Sequence, residues 1–142
     1  DQPWKAQYHV REVLDKLYNS QADGYCGDED NGQTSAWYIF SAMGFYPVCP
    51  GTDEYVLGSP LFNKITLTLE NGNTFVINAA NNSKEKRYVE STSMNGKSYD
   101  KNYLKHATIW DGGEIDFTMS ATPNKTRGTG PESYPYSMTN EK

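Results

Sequence analysis

Apolar side chains recur at helical spacing in the first part of the chain, and this pattern predicts two helices. In residues 1–20 the apolar stripe has the three- and four-residue intervals of one helix face, at Val10, Val13, Leu14, Leu17 and Tyr18. A second helix is predicted over residues 34–43, because Gly44 and Pro47 supply the signals that end a helix. Apolar residues lie on several sides of this second helix, which indicates burial between neighbouring elements.

After Pro50 the apolar residues alternate with polar ones, which is typical of strands. Asn71-Gly72 and Asn95-Gly96 are strong signals for two-residue hairpin turns. A short turn of helix is predicted over residues 107–110, and strands over residues 54–57, 65–69, 74–77, 87–93, 97–99, 103–104 and 114–119. The sequence therefore predicts an α+β protein in which two N-terminal helices precede an antiparallel β-sandwich of about six to eight short strands.

These elements divide the chain into three predicted regions. Residues 1–50 hold the helices and a loop, residues 24–35, that contains three consecutive acids. Residues 51–124 form the sandwich region. Residues 125–142 are rich in Pro, Gly, Ser, Thr and charge, and we expect this polar tail to be mobile at its end.

Composition excludes some classes of function. The 142 residues carry a formal net charge of −5, which argues against a nucleic-acid-binding surface. The longest apolar run, residues 36–48, is interrupted by polar residues and is too short to span a bilayer. Cys26 and Cys49 are compatible with a disulfide or, as we expect, with two free thiols. The chain has no initiating methionine and no export signal, so we expect a piece of a longer protein.

The acidic loop has two interpretations at the level of residues. Asp30 is a good helix N-cap, and Gln33 three residues later completes a pattern like a capping box. Alternatively, a carboxylate beside the free N–H groups of the helix start serves as a general base or a metal ligand. An EF-hand is excluded, because glycine arrives one place early at Gly32 and the twelfth residue is Ile39.

Longer stretches of the sequence resemble a known family. Three stretches carry this resemblance, GDEDNGQTSAWYIFSAMGFYPVCPG, EYVLGSPLF and NAANNSKEKRYVESTSMNGKSY. With these stretches, residues 3–124 closely resemble the C-terminal part of glycoside hydrolase family 92. Its members are bacterial, calcium-dependent, exo-acting α-mannosidases that invert the anomeric configuration. The resemblance implies that the two helices are a remnant of an (α/α)6 barrel. It also implies that a parent enzyme, periplasmic, cell-surface or secreted, removes terminal mannose from glycans as an α-1,2-mannosidase-like enzyme.

The resemblance also implies roles for individual residues. Asp30 matches the general base and Asp28 its partner or an alternative base, whereas the general acid matches a glutamate absent from this chain. Gln33 matches a residue near the sugar and the calcium, for which Asp28 is a second candidate ligand. Glu29 and Trp4 are weaker candidates for sugar contacts. Inverting hydrolysis needs two carboxyl groups roughly 6.5–9.5 Å apart, and three adjacent acids cannot supply both.

Several remaining features have competing interpretations. Trp37 and Tyr38 are candidates for walls of a sugar subsite, although aromatic residues at helical spacing usually pack in a core, which we expect for Trp37. His9 and His106 have no metal-like spacing and are interpreted as structural or solvent-facing. The alternative to an enzyme segment is a non-catalytic sandwich that binds carbohydrate or packs on a partner domain. In either case we expect the chain alone, without the remainder of the parent enzyme, to be inactive.

Overall fold

The computed structural model describes residues 2–140, which form three α-helices, eight strands and two 3-10 helices. The helices are α1 (Pro3–Lys16), α2 (Gln33–Met43) and α3 (His106–Trp110), and the 3-10 helices are Pro131–Ser133 and Met138–Asn140. The strands are β1 (Phe45–Tyr46), β2 (Glu54–Leu57), β3 (Lys64–Thr68), β4 (Thr74–Asn78), β5 (Tyr88–Met94), β6 (Lys97–Ser98), β7 (Tyr103–Lys105) and β8 (Gly113–Ser120). The predicted α+β class is confirmed, and among the described strands only the two-residue β1 has no counterpart in the prediction.

The strands form two sheets that share one core. One sheet has the order β1-β2-β7 and the other the order β3-β4-β8-β5-β6. All pairs are antiparallel except β4 and β8, which run parallel from Phe75 opposite Gly113 to Asn78 opposite Asp116. The sandwich is therefore mixed and not purely antiparallel as predicted. The chain forms β5, β6, β7 and α3 between the two paired strands, which is the long crossover that a parallel pair requires.

Alternate residues of the strands fill the space between the sheets. Ile115, Phe117 and Met119 of β8 are all buried, as the alternation in the sequence predicts. The three-stranded sheet adds further buried side chains to the same cluster, including Leu57 and Leu104. Burying a side chain of this size contributes roughly 1.5–3 kcal/mol, so this shared cluster is the main source of stability for the sandwich.

The first helix is shorter than the predicted 1–20. It begins at Pro3 and ends at Lys16, with Leu17 as its C-cap and 50% exposed. The chain then turns, and the Asn19 N–H donates to the carbonyl of Gly24 at 3.1 Å. Residue 1 of the prediction lies outside the described residues. The second helix matches its prediction to within one residue and ends at Gly44, whose φ of 99° is readily adopted by glycine.

Two polar side chains of α1 hold the helix against the sandwich. Arg11 is 2% exposed and donates to the Pro60 carbonyl at 2.7 Å and to Asn82 Oδ1 at 2.8 Å. Gln7 Oε1 accepts the backbone N–H of Val89 at the start of β5, at 3.0 Å. Burial lowers the pKa of the Arg11 guanidinium from its ordinary value, although arginine side chains are effectively always protonated in proteins. These bonds set the position from which α1 carries the chain towards the acidic loop.

The two predicted hairpin turns differ. Asn95 and Gly96 have φ values of 49° and 74° between the paired residues Met94 and Lys97, which confirms a two-residue turn. The other connection is longer, because the last strand pair is Thr68 opposite Thr74. Within it the Leu69 N–H donates to the Asn73 carbonyl at 2.9 Å, and Gly72 alone has a positive φ, 86°.

The prediction of a two-residue turn at Asn71-Gly72 is therefore wrong. The Asn71 side chain instead accepts the Asn73 N–H at 2.9 Å and donates to the Trp110 carbonyl at 2.8 Å. These bonds stabilise a wider turn, with glycine at its left-handed position.

Part of the predicted tail packs on the sandwich. Arg127 is buried and donates to Asn102 Oδ1 and to Thr92 Oγ1, both at 2.9 Å. Burial lowers the pKa of this guanidinium, against a smaller opposing effect of Asp100. The bonds hold the segment around Arg127 against β5 and the chain before β7. The expected mobility concerns the end of the tail, where residues 141 and 142 lie outside the described residues.

Candidate active site

The backbone of the acidic loop takes an uncommon path into α2. Asp30, Asn31 and Gly32 have φ values of 50°, 58° and 96°, and Gly32 is the N-cap of the helix. Aspartate and asparagine tolerate this left-handed region better than other residues with a side chain. The predicted capping box is therefore wrong, because Asp30 lies two residues before the N-cap position. Neither its carboxylate nor the Gln33 side chain hydrogen-bonds a described residue.

Glu29 performs the capping that the sequence predicted for Asp30. Its carboxylate accepts the backbone N–H of Ser35, in the first turn of α2, at 3.1 Å, and also accepts the Ser35 hydroxyl. Glu29 is half-buried, whereas Asp28 and Asp30 on either side are exposed. The middle acid of the three thus stabilises the helix start, which favours a positioning role for Glu29 over a direct sugar contact.

Thr34 fixes the loop from inside the structure. This residue is buried, and its Oγ1 donates to the carbonyl of Asp28 at 2.6 Å. Its backbone N–H donates to the carbonyl of Glu29 at 3.1 Å, and its own carbonyl accepts the Tyr18 hydroxyl at 3.3 Å. The backbone that carries Asp28 is thereby tied to α2 and to the segment after α1, while both flanking carboxylates stay available to a ligand.

The structure brings together some of the predicted site residues and separates another. Gln33 is exposed, and its backbone N–H donates to the Asp30 carbonyl at 3.3 Å, so Asp28, Asp30 and Gln33 share one short segment. Trp4 lies near the start of α1, roughly 18 Å along the helix axis from Lys16 at its end. The acidic loop contacts the segment just beyond that end, where Tyr18 bonds Thr34, so Trp4 lies at the opposite end of α1 from this contact.

The candidate calcium ligands are of a suitable chemical kind, but they supply too few oxygen donors by themselves. Carboxylate and amide oxygens, as offered by Asp28 and Gln33, are the donors that calcium prefers, and the ion takes six to eight of them. Within residues 2–140 no group of three or more His, Cys, Asp and Glu side chains is arranged to hold a metal ion. A calcium ion held at this loop needs further oxygen donors besides Asp28 and Gln33, and the predicted calcium stays a prediction.

The histidines and cysteines have ordinary surroundings. His106 lies beside Tyr55, with 3.0 Å between Nδ1 and the phenol oxygen, and His9 lies against the edge of Tyr8. Cys26 is exposed and Cys49 half-buried, and both thiols are free.

An aromatic recess next to the loop contains Tyr38, one of the aromatic residues that the sequence offered as a wall of a sugar subsite. It has a volume of about 290 Å³ and is lined by Tyr18, Asn19, Ser20, Tyr25 and Tyr38. Trp37 is half-buried and stacks on Tyr18, with 5.8 Å between the ring centroids and 11° between the ring planes, which agrees with the packing role expected for it. Tyr18 follows α1 and Tyr38 lies in α2, so their spacing in the sequence carried no signal that the two rings would meet.

An α+β protein that presents exposed carboxylates at a helix start has groups of the kind used in acid–base hydrolysis of glycosides. Residues 1–121 match the model of the glycosyl hydrolase family 92 catalytic domain, and the chain belongs to that family. It is 28% identical over 124 residues to an uncharacterized secreted glycosidase of Arthroderma benhamiae, covering 85% of this chain and 16% of the relative.

Solved structures give the same result at higher identity. An inverting mannosidase of the family from Bacteroides thetaiotaomicron is 58% identical and superposes with a TM-score of 0.91. A second α-mannosidase of that organism is 41% identical with a TM-score of 0.91, and its complex with mannoimidazole gives 0.92. Each match covers 96% of this chain and 18% of the solved chain. The present chain is thus similar to a small part of enzymes that are much longer.

Proposed function

We propose that this chain is the C-terminal part of an inverting, exo-acting α-mannosidase that removes terminal mannose from glycans, with α-1,2-linked mannose as the substrate. The observation that carries this proposal is that three adjacent acids differ in exposure and in hydrogen bonding. Glu29 is bonded to Ser35, whereas Asp28 and Asp30 are exposed on a backbone that Thr34 holds in place. Family membership and the similarity to solved mannosidases support the choice of sugar.

In the proposed reaction Asp30 is the general base. Its carboxylate takes a proton from a water molecule as the water oxygen forms a bond to the anomeric carbon. The bond between that carbon and the glycosidic oxygen breaks, and a general acid from outside this chain protonates the leaving oxygen. Asp28 orients the same water. Attack opposite the leaving group inverts the configuration, which is why the two carboxyl groups must stand roughly 6.5–9.5 Å apart.

We further propose that the full-length enzyme binds calcium, with Asp28 and Gln33 as candidate ligands from this chain. A cation held by these residues would supply positive charge to attract and orient hydroxyl groups of the sugar. This choice is supported by the carboxylate and amide oxygens of Asp28 and Gln33, which are exposed on one short segment.

The proposed setting of the parent enzyme is outside the bacterial cytoplasm, at the periplasm, the cell surface or in secreted form. The curated relative named as secreted supports this proposal. No helix among the described residues is long and apolar enough to cross a membrane. The proposed partners are a mannose-containing glycan and the remainder of the parent enzyme.

The experiment that tests the function uses the full-length parent enzyme. Purified enzyme is incubated with an α-1,2-linked mannobiose, with and without a calcium chelator, and the first product is observed by NMR. We expect β-mannose before mutarotation and a loss of rate on chelation that added calcium restores. Release of α-mannose first, or no hydrolysis of α-mannosides, would contradict the proposed reaction, and full activity after chelation would contradict the calcium.

A further inference from the structure

We propose that the recess lined by Tyr18, Asn19, Ser20, Tyr25 and Tyr38, here called the tyrosine recess, binds a sugar ring of the glycan substrate. The inference rests on the proposed function and assigns a binding subsite beside the water-activating loop. The recess combines aromatic walls with a few polar groups, which is the usual composition of a small-molecule site. Flat rings pack well on the C–H faces of a pyranose, and the polar groups match its hydroxyls.

The geometry of the three rings supports a sugar as the occupant. Tyr18 lies at the centre, with its ring centroid 5.0 Å from that of Tyr38 and 6.2 Å from that of Tyr25. The Tyr25 ring is 50% exposed, so it is not a core residue. The Tyr25 and Tyr18 rings meet at 67°, so the two rings present differently oriented walls to the recess. The recess that these rings line has a volume of about 290 Å³.

The wall of the recess is held by a tight turn. The Gly24 N–H donates to the Gln21 carbonyl at 3.0 Å, and the Gly24 carbonyl accepts the Asn19 N–H. A Cβ at residue 24 would lie 2.1 Å from the Asn19 carbonyl oxygen, so this close approach requires glycine. The turn places Tyr25 opposite the end of α1 before a sugar arrives, which reduces the entropy lost on binding.

Hydrogen bonds connect the recess to the acidic loop. The Tyr18 hydroxyl donates to the Thr34 carbonyl, and Thr34 Oγ1 donates to the Asp28 carbonyl. Desolvation, with smaller effects of the nearby Cys26 and Glu29, raises the pKa of Tyr18 to about 12, so its hydroxyl stays a neutral donor at neutral pH. A ring bound in the recess therefore has a defined position relative to the residues proposed to activate water.

The test compares Tyr25→Ala with Phe62→Ala in the full-length enzyme. Both rings are 50% exposed, but Phe62 lies outside the recess, between β2 and β3. We expect Tyr25→Ala to raise KM for α-1,2-linked mannobiose by about two- to tenfold, the range for loss of one aromatic contact, with kcat and Tm nearly unchanged. Phe62→Ala should leave all three at the parent values. Tyr25→Phe should retain most of the affinity if the ring face supplies the contact.

Two results would overturn the subsite. An unchanged KM in Tyr25→Ala at unchanged Tm would show that no sugar contacts the ring. A lower Tm with an unchanged KM would show that Tyr25 instead packs against the rest of the catalytic domain. If the enzyme hydrolyses no α-mannoside, the proposed function fails separately. NMR titration of the full-length enzyme with methyl α-mannoside then decides the subsite, since shifts of the Tyr25 and Tyr38 ring signals support it and their absence overturns it.

Discussion

The Glu29 carboxylate accepts hydrogen bonds from both the backbone N–H and the hydroxyl of Ser35. This pairing lies between two acids, Asp28 and Asp30, whose side chains are exposed. Three chemically similar neighbours therefore have different surroundings. One stabilises the start of α2, and the other two are the groups of this loop that a sugar, a water molecule or a cation is free to approach.

Removing the cap should destabilise the protein. We expect Glu29→Ala or Ser35→Ala to lower the free energy of unfolding by about 0.5–2 kcal/mol, the usual cost of a lost helix cap. The double variant should lose less than the sum, because both changes remove the same bonds. Urea titration followed by circular dichroism measures these changes. Glu70→Ala, which removes an exposed acid from the turn between β3 and β4, is the control, and an equal effect there would contradict the capping role.

Turnover should depend on the two exposed acids. In the full-length enzyme we expect Asp30→Asn to lower kcat by about 10²–10⁴, the usual scale for loss of a general base, with little change in Tm. Asp28→Asn should also lower kcat. Asp111→Asn, an exposed acid just after α3, serves as the control and should have the parent rate. Near-normal turnover in both loop variants would show that the base lies elsewhere.

Glycine should be required at two turns for the same backbone reason. Gly72 and Gly96 have φ values of 86° and 74°, although their turns differ in length. Replacing either with Val should lower the free energy of unfolding by roughly 1 kcal/mol or more, because a β-branched residue is strained at positive φ. Gly130 has a φ of −76° and open space at its Cβ, so Gly130→Val is the matched control and should be tolerated. A destabilised control with unaffected turn variants would contradict this explanation.

Acid should weaken the contact between α1 and the segment before β5. Hydrogen bonds from Lys16, and next from Arg87, hold the pKa of Glu12 below its ordinary 4.5. A carboxyl with a depressed pKa contributes stability that is complete above pH 4.5 and is lost as the pH falls through the folded-state pKa.

The measurement is the urea midpoint of the parent protein and of Glu12→Gln across this acidic range. Glu12→Gln should reduce the loss of stability towards low pH. Lys16 is highly exposed, so salt should screen its share more than that of the less exposed Arg87. Identical pH dependence in both proteins would show that Glu12 contributes nothing to acid sensitivity.

The 142-residue chain alone should release no sugar. Inverting hydrolysis needs a second carboxyl group that helps the leaving oxygen depart, and the three acids of one loop cannot supply both roles. Incubation of the purified chain with an activated α-mannoside and calcium measures this directly. Sugar release above the buffer rate, abolished by Asp30→Asn, would show that the acid lies within this chain.

Much of the fold followed from local patterns. The change from helical to alternating spacing after Pro50 placed α2 and most strands to within one or two residues, and Asn95-Gly96 was a correct hairpin signal. Such features are encoded by neighbouring residues, because backbone sterics and side-chain periodicity act over a few positions. The amino-acid sequence of the acidic loop also identified the family, since that block of residues is unusually specific.

The site required contacts between segments that are far apart in the sequence. No local pattern showed that β8 would lie parallel to β4, or that Tyr18 would bond Thr34. The choice of Glu29 over Asp30 as the cap depended on the left-handed path of Asp30 and Asn31, which put the earlier carboxylate within reach of Ser35. Periodicity limits which face of an element is buried, but the free energy of packing the whole chain selects which faces and side chains meet.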